Sequence, residues 1–316
     1  MSTQVCACTN GLGNSGTTTT PLMKVAKKMI FVPLYDGDGN LNKITLTDVL
    51  NAAYFTALVN QADKTKRWYP MPEMVNVTDV RGNSTIETFE NMSKVFIQQG
   101  VRDFKALFVQ APQQLLAALQ SYRCDELGVY FVDICNNLIG TLGTDQDACD
   151  PSYLYPIRVD QNSIDPIFVK MTDKLSQKIE INFSFHMDEN DSDLRVITQE
   201  EAGTNLTNLS GLLDICADYA SIHTTGVTAT LKVVGYGTPI TPLTDKGLVA
   251  ADFALYNVTD SASVTVVSAV ETPANSGIYV ITHAAQTIGD EMRLTPTKTG
   301  RDYSLVVANT WQIAHT

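Results

Sequence analysis

Most residues in this chain that could do chemistry are carboxylates in loops. Asp145, Asp147 and Asp150 follow the run Gly140-Thr-Leu-Gly143, and Asp188, Glu189, Asp191 and Asp193 follow His186. Carboxylates at this density can hold a divalent cation, work as an acid–base pair, or keep a loop solvated. Two stretches approach a calcium-loop pattern. Asp36-Gly-Asp-Gly-Asn40 places oxygens at the first, third and fifth positions, but Leu41 stands where Gly is needed and Thr47 where a bidentate Glu is needed. Residues 188–199 also lack the central Gly and end on Gln199. The first stretch therefore reads as a turn and the second as a solvated acidic loop.

Other chemistries find less support. Cys6-Ala-Cys8 is too close for a zinc knuckle, and Cys124, Cys135, Cys149 and Cys216 are widely spaced, so free thiols are expected. His223, His283 and His315 lie far from His186, which leaves no histidine cluster in sequence. No GxSxG elbow, HExxH, P-loop or GxGxxG after a strand occurs. The expectation is a protein with no metal, no cofactor and no catalytic residues.

Charge and composition bear on the partners. The 316 residues carry a net charge of −12, with 18% charged and 44% hydrophobic residues. Residues 223–316 hold five basic and seven acidic side chains, leaving −10 on residues 1–222. A surface of that sign does not displace the counterions of nucleic acid, although it suits a wall past which DNA must slide without sticking. No apolar run is long enough for a membrane span. The opening MSTQVCACTNGLGNSGTTTTP lacks a basic and an apolar segment, so it reads as a flexible N-terminal arm over residues 1–22 and not as a secretion signal.

The elements that would position these residues are mainly strands. The stretch 86–133 organises the first part of the chain. It reads as a hairpin of residues 95–98 and 101–109 turning at Gly100, a helix opening at Pro112 with Leu115, Leu119 and Tyr122 on one face, and a return strand at 127–133. Strands are also expected at 24–35, 73–81, 153–159 and 166–171. The cleanest is KIEINFSF, where Ile179, Ile181, Phe183 and Phe185 alternate with polar partners. Helices are expected over 47–63, capped by Thr47 and buried through Leu50, Tyr54, Ala57 and Leu58, and over 206–220, buried through Leu209, Leu212, Leu213 and Cys216.

Composition shifts after residue 222. Short runs of Val, Thr, Ala and Ser at 228–234, 252–257, 263–270, 277–282, 291–295 and 304–307 are separated by turn residues about a dozen apart, the pattern of an immunoglobulin-like sandwich. The fold class expected is mainly β with a few helices. Its parts are the arm (1–22), a β domain with flanking helices (23–205), a helical linker (206–222) and an Ig-like β-sandwich (223–316).

The runs ETFENMSKVFIQQGVRDFKALF, LLAALQSYRCDELGVYFVDICNNLIG, YPIRV and KIEINFSFHMDENDSDLRVIT resemble tail-tube-like structural proteins of tailed bacteriophages infecting Bacteroidota, over roughly residues 24–200. The resemblance implies a curved β-sandwich or barrel that forms stacked, hexameric rings. These rings conduct DNA in the virion, alongside other tail or connector proteins. It makes Asp145, Asp147, Asp150, Asp188, Glu189, Asp191 and Asp193 candidates for the lumen or for contacts between rings. Other readings are a head–tail connector, a capsid decoration protein, or weak host-glycan binding through the Ig-like domain.

Overall fold

The computed structural model describes residues 23–109, 111–143, 152–169, 177–189, 193–237 and 240–314. The N-terminal arm of the sequence reading lies outside them. The chain is mainly β with a few short helices, and it divides into two compact units, one ending at Gly211 and the next beginning at Leu212.

In the first unit the strands are β1 (Ala26–Pro33), β2 (Ile44–Thr45), β3 (Tyr69–Pro70), β4 (Met74–Arg81), β5 (Thr85–Thr88), β6 (Lys94–Gln98) and β7 (Arg102–Val109), with helix α1 (Ala52–Val59) between β2 and β3. After β7 come α2 (Gln113–Ser121), β8 (Leu127–Asp133), β9 (Leu138–Thr141), β10 (Tyr153–Leu154), β11 (Ile157–Arg158), β12 (Asp165–Val169), β13 (Lys178–Ser184), β14 (Leu194–Ile197) and α3 (Gln199–Ala202). One sheet runs β14-β9-β8-β1-β3, with β11 also on β8, and a second runs β12-β13-β7-β4. Every pairing in the two is antiparallel.

The two sheets share one core. Alternation puts Phe104, Ala106 and Phe108 of β7 and Ile179, Ile181 and Phe183 of β13 inward, against Met29, Phe31, Val129 and Phe131 of the other sheet. Ring contacts across the layers, Phe104–Phe131 at 4.8 Å and Phe31–Phe183 at 6.0 Å, close that core. Helix α2 adds Leu115 and Leu119 to it and the 3₁₀ turn that follows adds Tyr122, the stripe the spacing predicts, while Pro112 precedes the helix as an extended cap. The first sheet is buried on its other face too. Tyr130 stacks on Trp68 at 5.0 Å, and Trp68 meets Phe55 of α1. That is why all seven residues of β8 are buried and its sequence is continuously apolar up to Asp133.

Several local expectations change. Helix α1 is shorter than 47–63 and starts at the cap Asn51, whose side chain accepts from the Tyr54 N–H at 2.9 Å, so Phe55 and Val59 turn inward. The strand at 153–159 is two pieces, β10 and β11, broken at Pro156, which packs so closely on Gly128 that a Cβ there would lie 2.6 Å from the proline ring. Residues 95–98 and 101–109 are not a hairpin: β6 pairs back with β5, while β7 pairs with β4 and β13.

The expected helix at 206–220 is the largest correction. Only a 3₁₀ turn at Leu206–Asn208 is helical, and β15 (Leu213–His223) is a strand that opens the second unit. Ile215 and Ala217 face the core while Asp218 faces out, a period of two. The helical linker is therefore absent, and the second unit starts about ten residues before the expected boundary at 223.

After β15 the second unit continues with β16 (Gly226–Gly237), β17 (Pro242–Thr244), β18 (Phe253–Asn257), β19 (Ala262–Val264), β20 (Val266–Glu271), β21 (Ile278–His283), β22 (Glu291–Pro296), β23 (Arg301–Asp302), helix α4 (Ser304–Ala308) and β24 (Trp311–Gln312). The run 304–307, expected as a strand, is this helix. One sheet is ordered β20-β21-β16-β15 and the other β19-β18-β22-β24, around one core that includes Leu231, Leu255, Tyr279, Ile281, Met292 and Leu294. Lettered in chain order, with β15 as A, β16 as B, β20 as D and β21 as E, the first sheet runs D-E-B-A and the second C′-C-F-G, the strand order of an immunoglobulin-like sandwich, with β23 added parallel to β15 and β17 added on β16.

Candidate functional site: a projecting hairpin

Strands β4 and β7 pair at the edge of the second sheet and then continue past it. Gly82 and Gly100 mark the crossing. The Gly82 N–H donates to the Val101 carbonyl at 2.7 Å, and a Cβ on Gly100 would sit 2.0 Å from the Gly82 oxygen. Gly100 serves close backbone approach and not the positive-φ turn its position suggested. Arg81 ties the crossing down, donating to the Gly100 carbonyl at 3.1 Å and the Glu189 carbonyl at 3.4 Å.

Beyond the crossing, β5 and β6 form a two-stranded finger that no other sheet or helix covers among the described residues, with Gln98 at its base donating to the Met187 sulfur at 3.3 Å. All nine residues of the two strands are exposed. Ile86 lies opposite Phe96 on one face, and Val95 lies opposite Glu87 on the other. At the tip, Met92 donates its N–H to the Phe89 carbonyl, and Phe89 donates to the Ser93 carbonyl. Asn91 accepts from the Ser93 N–H at 3.0 Å and from its hydroxyl at 2.6 Å. This three-residue loop needs a left-handed residue, and Met92 takes that role at φ 66°. Phe89, Met92 and Phe96 are 47%, 80% and 57% exposed. A bare two-stranded hairpin with apolar groups on both faces is marginal alone and prone to pair with another chain.

Near the finger's root a pocket of about 280 Å³, open to solvent, lies at the margin of the two sheets. Ala26, Val77, Phe104, Phe131, Ile139 and Leu194 line it, and Lys24 stands at its mouth. Arg102 and Asp79 form a bidentate pair there, at 2.7 and 2.5 Å, and the guanidinium lies 4.5 Å from the Phe185 ring. A second cavity of about 380 Å³ holds Asp48, Tyr153, Arg195 and Glu201. Glu201 is occupied as the partner of the Thr198 cap, at 2.8 Å from both its N–H and its hydroxyl. The Tyr153 ring sits under Lys43.

The acidic candidates separate. Asp145, Asp147, Asp150 and Asp191 lie outside the described residues. The side chain of Asp188 is 81% exposed, whereas that of Glu189 is 11% exposed. Burial holds the Glu189 carboxyl above the usual carboxylate range, opposed by the Arg158 N–H at 3.2 Å and its guanidinium at 3.8 Å. Asp193 is half-buried, and its backbone carbonyl accepts from the Leu142 N–H. The structure thus turns Asp188 outward and Glu189 inward. The outer face of the second sheet carries paired charge: Lys105 meets Glu180 at 2.7 Å, which lowers the Glu180 carboxyl, and Ser184 donates to Asp103 at 2.6 Å. The Asp36 loop closes as an Asx turn, with Asp36 accepting from the Asp38 and Asn40 N–H groups at 3.0 and 2.8 Å.

Among the described residues, no three His, Cys, Asp or Glu converge as a metal would require, and Cys124, Cys135 and Cys216 are free. No described helix is long and apolar enough to cross a membrane. The arrangement suits binding through apolar surface and strand edges. The sequence predicts a strand at 95–98 and none at 85–88; the available signal for the finger was apolar residues at both parities of a short run, which a half-buried strand does not need. Compared with known proteins, the chain matches no family, and no curated protein is detectably similar to it.

Proposed function

We propose that this chain is a structural protein that assembles with copies of itself, as a ring-forming component of a phage tail tube within the virion. The observation that carries the reading is the finger at residues 85–98, whose apolar residues face solvent on both sides. Exposed apolar strands are a hazard in a monomer and an asset where a neighbour covers them. The resemblance over residues 24–200 supports the tail-tube assignment. The charge of −10 on residues 1–222 supports a conduit that repels phosphate.

The test is electron microscopy and sedimentation of the purified chain beside a variant in which residues 84–99 are replaced by a short Gly-Ser loop. Rings or tubes from the full chain, and a folded monomer from the variant, are expected. A full chain that stays monomeric at high concentration overturns the reading.

A further inference from the structure

Resting on that assembly reading, we infer that the fingers of successive copies pair edge to edge, β6 of one against β5 of the next, into one continuous sheet. The observation behind this is a set of backbone groups on the finger's two edges. At the tip the Phe89 N–H donates to the Ser93 carbonyl, which makes residues 89 and 93 a hydrogen-bonded pair. Antiparallel pairs alternate between bonded and non-bonded. Glu87 with Val95 is then a bonded pair, while Thr88 with Lys94 and Ile86 with Phe96 are not. The N–H and C=O groups of Ile86 and Thr88 therefore point out along one edge, and those of Lys94 and Phe96 along the other. Among the described residues no third strand pairs with either edge.

The two edges fit each other. Continuing the hairpin's own register sets Phe96 of one copy opposite Ile86 of the next, and Lys94 opposite Thr88. One face then carries an unbroken row in which Ile86 and Phe96 alternate, so each of these exposed side chains gains a second apolar neighbour. The charges stay apart. Lys94 lies between threonines in its row, and on the other face Glu87 lies between valines, so no like charges meet across strands. Pairing β5 with β5, or β6 with β6, joins two copies and leaves the remaining edge of each bare. The head-to-tail arrangement uses both edges of every copy.

Strand direction permits this. The finger has an even number of strands, and they are antiparallel. When copies are related by a rotation about an axis along the strands, β6 of one copy runs opposite to β5 of the next, so the alternation continues through every copy. A two-stranded ribbon that is marginal alone thereby becomes part of a many-stranded sheet. The interface joins two different edges of one chain. It is therefore heterologous, closing into rings if its rotation closes and into open filaments if it does not.

Two measurements test this. First, p-benzoylphenylalanine replaces Phe96, and isotopically light and heavy chains are mixed, assembled and irradiated. Mixed-isotope crosslinks from position 96 to residues 85–88 are expected. Assemblies that form normally but crosslink elsewhere overturn the pairing and leave the assembly reading standing; no assembly at all overturns both. Second, Thr88→Pro and Lys94→Pro each remove an outward N–H that the hairpin itself does not use, and so block one edge. Each variant alone should need a roughly tenfold higher concentration to assemble, the cost of a lost ladder bond. Below that concentration, sedimentation should find each variant monomeric and their one-to-one mixture as pairs, since the open β6 edge of one meets the open β5 edge of the other. Pairs formed by either variant alone would mark β6-to-β6 or β5-to-β5 contacts and overturn the proposal, as would a mixture that stays monomeric. Both residues are exposed, so unchanged thermal unfolding excludes misfolding as the cause, and the crosslink is read without either variant.

Discussion

Gly82 and Gly100 touch backbone to backbone where the finger leaves its sheet, and a single methyl on Gly100 would fall 2.0 Å from the Gly82 carbonyl oxygen. The contact lets two strands cross tightly and carry the finger away from the core. Gly100→Ala has no flexible side chain to displace, so the strands must separate. A loss of ~1–3 kcal/mol is expected from such overpacking, confined to the finger root. Hydrogen exchange should rise at residues 81–101 with the rest of the first unit unchanged, and assembly should weaken.

Lys28 is a buried cation. Its ammonium donates to the Thr207 carbonyl at 2.9 Å and to the Leu209 carbonyl, fastening the end of the first unit to β1. Burial lowers it to about 8 from an ordinary 10.5, with Glu73 opposing the shift. The folded state therefore releases the proton before the unfolded state does. Stability should rise as pH climbs from 8 toward 10.5, because the penalty for the buried charge is relieved. Between pH 7 and 9.5 the gain over Lys28→Met is ~1 kcal/mol, trimmed by solvent at the ammonium. Urea unfolding of both proteins at the two pH values checks it; parallel pH dependence would contradict this account of Lys28.

Asp245 anchors the second unit. Its side chain is fully buried, accepts from the Tyr303 hydroxyl at 2.6 Å and the Arg301 Nε at 3.0 Å, and lies 3.3 Å from the Lys298 ammonium. The Tyr279 hydroxyl donates to its backbone carbonyl at 3.0 Å, and burial pushes that hydroxyl up to about 12. Asp245→Ala would strand the buried Tyr303 hydroxyl and remove the carboxylate from two partly exposed cations, Lys298 and Arg301, which keep backbone carbonyl partners. A loss of ~2–3 kcal/mol is expected, below the range for a fully buried ion pair because solvent screens both cations. Calorimetry should show it in the transition of the second unit, with that of the first unmoved.

Each unit has its own core, since the buried cluster of the first draws no residue from the second. Deleting residues 212–316 should leave a folded first unit that keeps its finger. Circular dichroism and microscopy should then find a cooperative melt and assemblies like those of the full chain. Loss of either would assign the second unit a part in building the first.

Some of this was settled by residues alone. KIEINFSF can only be a strand with one buried face, because its branched and aromatic residues recur every second position, and β13 follows that alternation residue by residue. The spacing of Leu115, Leu119 and Tyr122 similarly marks the inner face of α2 and the turn after it, although Pro112 sits just before the first turn as an extended cap and not within it. The turn chemistry after residue 222 was enough to mark a sandwich.

Tertiary context decided the rest. Residues 206–220 satisfy a helical period through Leu209, Leu212, Leu213 and Cys216 and a strand period through Ile215, Ala217 and Tyr219. Pairing with β16 selects the second, because only a neighbouring strand can satisfy the backbone of an extended segment. The finger was legible only as a short run with apolar residues at both parities. Ile86, Val95, Phe96 and Ile97 have the composition of a packed strand, and composition cannot report whether a second layer lies over them. The separation of Asp188 from Glu189, adjacent in sequence yet one exposed and one buried, was likewise settled by the fold around Arg158. Periodicity records which side chains can share a face; what covers that face depends on segments far away in the chain.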